Sequence, residues 1–172
     1  MRFKITLPIL LMVFLFAACS DDGNKFPETP GLEYRGFEKS KTPDGRDSSV
    51  FFRFRYTDGD GDIGLSESDT LPPFDFGGPN FYNFLVQYFV WDNGVARPRI
   101  DPLTLDTLSF HLRLPVLTPS GTNKQIEGEL KVEIPARPSG FSPDSILIRC
   151  RLSDRALRKS AFVSSPVVPL FH

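Results

Sequence analysis

Alternation dominates this chain. Apolar residues recur at every second position in several runs, and nowhere at the three-and-four spacing of a helix. Val50, Phe52, Phe54 and Tyr56 share one face of a run, with Arg53, Arg55 and Thr57 on the other face beside Phe51. Tyr82, Phe84, Val86, Tyr88 and Val90 form a second row; Phe81, Leu85, Phe89 and Trp91 make its reverse face partly apolar too, which suits a central strand. Phe110, Leu112 and Leu114 alternate with His111 and Arg113. Ile126, Leu130, Val132 and Ile134 alternate with Glu127, Glu129, Lys131 and Glu133, and Ile146, Ile148, Cys150 and Leu152 with Arg149 and Arg151. A last β-branched run over residues 161–170 is broken by Pro166 and Pro169, as an edge strand tolerates. Period two sends successive side chains to opposite faces, so one face can be buried while the other meets water.

The 16 prolines and 13 glycines interrupt any long helix and fall between the runs, as in Pro43-Asp44-Gly45, Ser120-Gly121 and Ser139-Gly140. Asp92-Asn93-Gly94 between two apolar stretches predicts a tight hairpin. About seven strands over ~140 residues predict an all-β fold, a single antiparallel β-sandwich of immunoglobulin-like type, with a closed barrel as the rival. The domain spans residues 32–172.

Charge and motif content narrow the function. With 20 Lys and Arg against 21 Asp and Glu, the chain lacks the basic excess that a nucleic-acid backbone requires, so no nucleic-acid partner is expected. His111 and His172 are the only histidines, and neither has a cysteine or second histidine at zinc-ligand spacing. His111 falls on the polar face of its run and reads as solvated. Nucleophile-elbow, HExxH and phosphate-loop patterns are all missing, so no catalytic residue is assigned and the chain is not read as an enzyme. A hydrolase is the outermost alternative, because a glycosidase needs carboxylates across a cleft and the conspicuous ones here lie in one loop. Tyr88 and Trp91 are the aromatics that a sugar-stacking surface would use, although such residues in a central strand are usually core.

Residues 1–18 read as a signal peptide. Arg2 and Lys4 precede 14 residues, 5–18, that are apolar except for Thr6 and Pro8; these are too few to span a bilayer but of the right length for a secretory segment. Phe16-Ala17-Ala18-Cys19 resembles the lipobox of bacterial lipoproteins, in which the cysteine is acylated and becomes the mature N-terminus. Ser20-Asp21-Asp22-Gly23 resembles the acidic stretch that marks surface export in lipoproteins of the Bacteroidetes. The resemblance implies lipidation at Cys19, a membrane partner through the lipid anchor, and an outer-membrane location facing the extracellular side. A plain secreted protein with an incidental cysteine is the blander alternative. Residues 19–31, polar and punctuated by Pro27 and Pro30, read as a flexible tether. With Cys19 taken by lipid, Cys150 has no disulfide partner and reads as a small core residue.

Asp58-Gly59-Asp60-Gly61-Asp62-Ile63-Gly64, followed by Asp69, is the one stretch with visible chemistry. Carboxylates at alternate positions, separated by glycines that let the backbone fold tightly, can converge on a hard cation. Calcium takes about six to eight oxygens. An EF-hand loop begins with this spacing, but its sixth position needs glycine and here holds Ile63, while its twelfth is Asp69 rather than Glu. If residues 50–57 form strand B and 145–153 strand F, the loops that follow them share one end of the sandwich, and Asp154 joins the cluster. The expected metal ligands are therefore Asp58, Asp60, Asp62, Asp69 and Asp154, with calcium as the cofactor. The simpler reading is that Asp and Gly are favoured in turns and Asp154 pairs with a nearby arginine.

The run YTDGDGDIGL, with Leu152-Ser153-Asp154-Arg155-Ala156, resembles the Asp-rich loop and closing turn of small immunoglobulin-like domains in Bacteroidetes lipoproteins. That resemblance implies a fold and a location, not an activity. The functional expectation is a non-enzymatic surface module with a calcium-ordered loop. The alternative is a glycan- or protein-binding accessory of an outer-membrane uptake complex, with a surface glycan or outer-membrane protein as partner and no metal.

Overall fold

The computed structural model describes residues 26–117, 124–138 and 141–171. The signal-peptide segment and Cys19 lie outside the described residues. Eight strands follow one another: β1 (Gly31–Lys41), β2 (Asp47–Asp58), β3 (Phe84–Asp92), β4 (Val95–Pro98), β5 (Ile126–Pro135), β6 (Ser145–Leu152), β7 (Val163–Ser164) and β8 (Val168–Pro169). Among the described residues there is no α-helix. The strands form two antiparallel sheets, one ordered β1-β2-β5 and the other β4-β3-β6-β7, with β8 also on β6. If the strands are lettered in immunoglobulin fashion, these are A-B-E and C′-C-F-G. The fold is a β-sandwich with immunoglobulin-like strand order.

The period-two runs supply both inner faces. Val50, Phe52 and Phe54 of β2 and Val132 and Ile134 of β5 meet Phe84, Val86 and Tyr88 of β3 and Ile146, Ile148, Cys150 and Leu152 of β6 in one apolar cluster. Phe54 and Phe84 join the sheets edge to face, ring centroids 6.1 Å apart. Tyr88 is fully buried and Trp91 is 41% exposed, at the far end of β3. Cys150 is a free thiol in this core. The β3–β4 hairpin turns at Asn93 and Gly94, with φ of 48° and 80°, the geometry of a tight two-residue turn.

Two expectations need revising. The stretch around Phe110 and Leu112 does not form a continuous strand; its bridges to β3, Phe84–Leu112 and Gln87–Ser109, are isolated ones. The reason is His111, whose Nδ1 accepts the Val86 N–H at 3.0 Å while Phe110 N–H donates to the Val86 carbonyl. An imidazole thus replaces one rung of the ladder. His111 is half-buried, not solvated, and burial pushes its pKa below the ordinary imidazole value.

A measurable pH effect follows. An imidazole with a depressed folded pKa contributes nothing above the unfolded value, about 6.5, and costs stability as pH falls through it, because the unfolded chain takes the proton first. Stability of the wild-type protein should fall between pH 7 and 5 by about 1 kcal/mol more than that of His111→Asn, whose Oδ1 can accept the same N–H without titrating. Equal slopes in denaturant melts of the two proteins would refute the assignment.

The second revision concerns the tether. Residues 26–30 lie against the sandwich, with Pro30 buried and the Pro27 carbonyl accepting the Gly59 N–H at 2.8 Å. Only the part before residue 26 remains as a candidate linker, and it lies outside the described residues.

Candidate metal centre

Strand β2 carries its alternation to its last residue, so Asp58 lands on the inner face, where it is fully buried. Ile63, also fully buried, and Leu65, 4% exposed, plug the following loop into the core. Between these anchors the chain must reverse within a few residues. Its fold is fixed by the Asp58 Oδ2, which accepts the Asp62 N–H at 2.8 Å. Asp58, Asp60 and Asp62 are thereby brought together, one carboxylate oxygen of each within 4.8 Å of the others. The second half of the pole comes from the loop after β6. The Asp62 carbonyl accepts the Arg155 N–H at 3.1 Å and its Oδ2 the Ala156 N–H at 3.0 Å, so the β2–β3 and β6–β7 connections are stitched together.

Arg158 is the residue that sequence reasoning missed. Its guanidinium donates through Nε to Asp154 Oδ2 at 2.8 Å and through Nη2 to Asp60, with Asp62 Oδ2 at 3.7 Å and Glu28 Oε2 at 2.5 Å from Nη1. The i,i+4 spacing from Asp154 was its only visible signal. Its pKa is raised, chiefly by the hydrogen bond to Asp60. Asp154 is 2% exposed, and both its oxygens are engaged by Arg158, Oδ1 by the backbone N–H at 2.7 Å.

The five expected ligands therefore separate. Asp58, Asp60 and Asp62 form one cluster, and Asp154 stands beside it within reach of its charge. Asp69 goes elsewhere: its carboxylate takes a two-pronged ion pair from Arg155, at 2.5 and 2.6 Å, and caps the Ser66 N–H at 2.7 Å. The Arg155 guanidinium, aided by Ser66, holds the Asp69 carboxyl well below the usual range. A carboxylate so saturated has little left to offer a cation.

What remains at the cluster is an electrostatic deficit. Asp58, Asp60, Asp62 and Asp154 gather four carboxylates at this pole, and the Arg158 guanidinium that pairs with three of them is shared with Glu28. Asp58 Oδ1, Asp60 Oδ1 and Asp62 Oδ1 are all buried and have no hydrogen-bond partner among the described residues. A buried acceptor without a donor costs about 1–3 kcal/mol, more when charged. Burial first, and the Asp60 charge second, push the Asp58 carboxyl up to about 7. Burial and the charge of Asp154 raise Asp62 too, and burial raises Asp154 despite its bonds to Arg158.

Three hard oxygen donors suit calcium, magnesium or manganese rather than zinc or copper. Oxygens bound to one calcium at about 2.3–2.6 Å stand at most about 5 Å apart, so the three fall within a single coordination sphere. The cluster can hold a metal ion. Compared with known protein families, curated proteins and solved structures, the chain matches none.

Proposed function

We propose that the protein is a non-enzymatic binding or structural module, displayed on the outer membrane by a lipid on Cys19, whose Asp-rich pole is ordered by a calcium ion. The metal reading rests on one cluster: Asp58, Asp60 and Asp62 bring one carboxylate oxygen each within 4.8 Å of the others, and each keeps a buried Oδ1 with no protein donor among the described residues. A divalent cation would offer these carboxylates the missing partner and, with all four aspartates ionised, would reduce the local charge from −3, counted over the four and Arg158, to −1. Calcium is favoured over magnesium because magnesium sheds its waters reluctantly for a site built from protein carboxylates. The lipoprotein reading is supported by the order of cationic start, apolar segment, small residues and cysteine, and by the likeness of the Asp-rich loop to surface lipoproteins of the Bacteroidetes.

Two experiments test these parts separately. Calorimetric titration of the full chain in detergent should show one calcium site, with magnesium much weaker, and the heat should vanish in an Asp60→Asn, Asp62→Asn double variant. Calcium heats that survive in this variant would place the ion elsewhere. Mass spectrometry of the membrane fraction should find an acylated Cys19 peptide, and Cys19→Ala should move the protein to the aqueous phase; recovery of the variant in the membrane would remove the anchor assignment.

A further inference from the structure

The first three residues of the segment 26–30 contact the Asp-rich pole. The Pro27 carbonyl accepts the Gly59 N–H at 2.8 Å. Glu28 Oε2 meets Arg158 Nη1 at 2.5 Å, and the same guanidinium holds Asp60, Asp62 and Asp154. Gly59 lies so close beneath the segment that a Cβ there would stand 2.2 Å from the Phe26 carbonyl oxygen and 2.8 Å from Pro27. The Phe26 ring lies under Arg55, 5.8 Å from the guanidinium carbon. One backbone bond to Gly59 and one ion pair to Arg158 therefore tie the chain that leads away from the domain to the candidate metal site.

Charge decides how the two are coupled. Glu28 is 66% exposed at its side chain and brings a fifth carboxylate to the pole. Without a cation it approaches a cluster of net charge −3, and only its contact with Arg158 opposes the repulsion. A calcium ion held by Asp58, Asp60 and Asp62 would lower that charge to −1, and Arg158, bonded to the Oδ2 atoms of Asp60 and Asp154, does not occupy the unpartnered Oδ1 atoms of Asp58, Asp60 and Asp62. The cation thus makes it easier for Glu28 to dock. By linkage, a docked Glu28 strengthens calcium binding by the same factor.

We infer that residues 26–30 form a latch over the 58–62 loop, tightened by calcium and coupled to it through Glu28 and Arg158. The inference rests on the calcium reading above and deepens it: the ion fixes the direction in which the chain leaves the sandwich toward its anchor. A slack latch frees the domain to swing on residues up to 30; a tight one shortens the free linker by five residues, about 17 Å of extended chain.

Limited proteolysis of the full chain in detergent tests this directly, using endoproteinase Lys-C and following the bond between Lys25 and Phe26 by mass spectrometry. Saturating calcium should slow that cleavage about fivefold relative to chelator, because the protease needs the latch open. Glu28→Gln should lose the protection and bind calcium about fivefold more weakly in the calorimetric titration. Glu38→Gln, an exposed residue on β1 paired with Arg53 and Lys131 rather than Arg158, should match wild type in both assays. Calcium binding of wild-type strength in Glu28→Gln, or a cleavage rate indifferent to calcium while titration shows the ion bound, overturns the latch and leaves the metal site standing. An absence of calcium uptake by titration overturns both.

Discussion

In chelator, Asp58→Asn melts higher than the wild-type protein; in calcium the order reverses. The first half follows from burial. Asp58 is fully enclosed, with one oxygen unpartnered and Asp60, Asp62 and Asp154 around it. Replacing the carboxylate by an amide of the same shape removes a buried charge while keeping an acceptor for the Asp62 N–H. The second half is linkage. A ligand at a hundred times its dissociation constant stabilises the folded state by about 2.7 kcal/mol, which for a domain of this size is a rise in melting midpoint of about 8 °C. The variant should show almost none of it.

The pH dependence has a definite sign. With the Asp58 carboxyl raised to about 7, the cation-free protein loses stability as pH climbs from the ordinary carboxylate range toward 7, because the unfolded chain ionises first. Protons compete with the cation for the same oxygens, so the calcium-induced rise should be larger at pH 8 than at pH 5. Differential scanning calorimetry at the two pH values checks both statements, and identical shifts would remove Asp58 from the ligand set.

Gly61→Ala should be the most damaging added methyl among the described glycines. Its φ of 66° lies in the left-handed region, and a Cβ there would stand 1.6 Å from the Lys124 carbonyl oxygen. Backbone atoms cannot swing aside as a side-chain tip can, so the 58–62 loop and the chain at Lys124 must separate. That costs about 3 kcal/mol or more and dissolves the cluster of Asp58, Asp60 and Asp62, so calcium binding goes with it. Gly77→Ala is the matched control: its φ is 77°, but nothing lies within 4 Å of the new methyl. It should cost about 1 kcal/mol, the conformational part alone. Similar losses in the two variants would show that backbone conformation, not close packing on the loop, makes Gly61 necessary.

Strand positions and inner faces were legible because their signal is local. The alternation at Val50, Phe52 and Phe54 and at Ile146, Ile148, Cys150 and Leu152 marks the same residues that the structure buries. The broken last run was legible too: β7 and β8 pair with different parts of β6 on either side of Ser165, whose hydroxyl accepts the Ile148 N–H at 3.0 Å. His111 was misplaced because its alternation is that of a strand, while its imidazole takes the place of a neighbouring carbonyl. No pattern in one segment reports what another segment offers. The same reason hid the docking of residues 26–30, which have no apolar period of their own.

At the Asp-rich pole the division is sharpest. Sequence alone determined that Asp58, Asp60 and Asp62 would share a tight loop, since their spacing and the glycines between them are local facts. It also set the topology that carries Asp154 to the same end of the sandwich. Only the tertiary structure decided which carboxylates remained free for a cation. Asp69 and Asp154 are as acidic as the others on paper, but Arg155 and Arg158 engage both oxygens of each, whereas Asp58, Asp60 and Asp62 each keep a buried Oδ1 unpartnered among the described residues. Ion pairing depends on distance in space and on competition among donors, and neither is written in the order of residues along the chain.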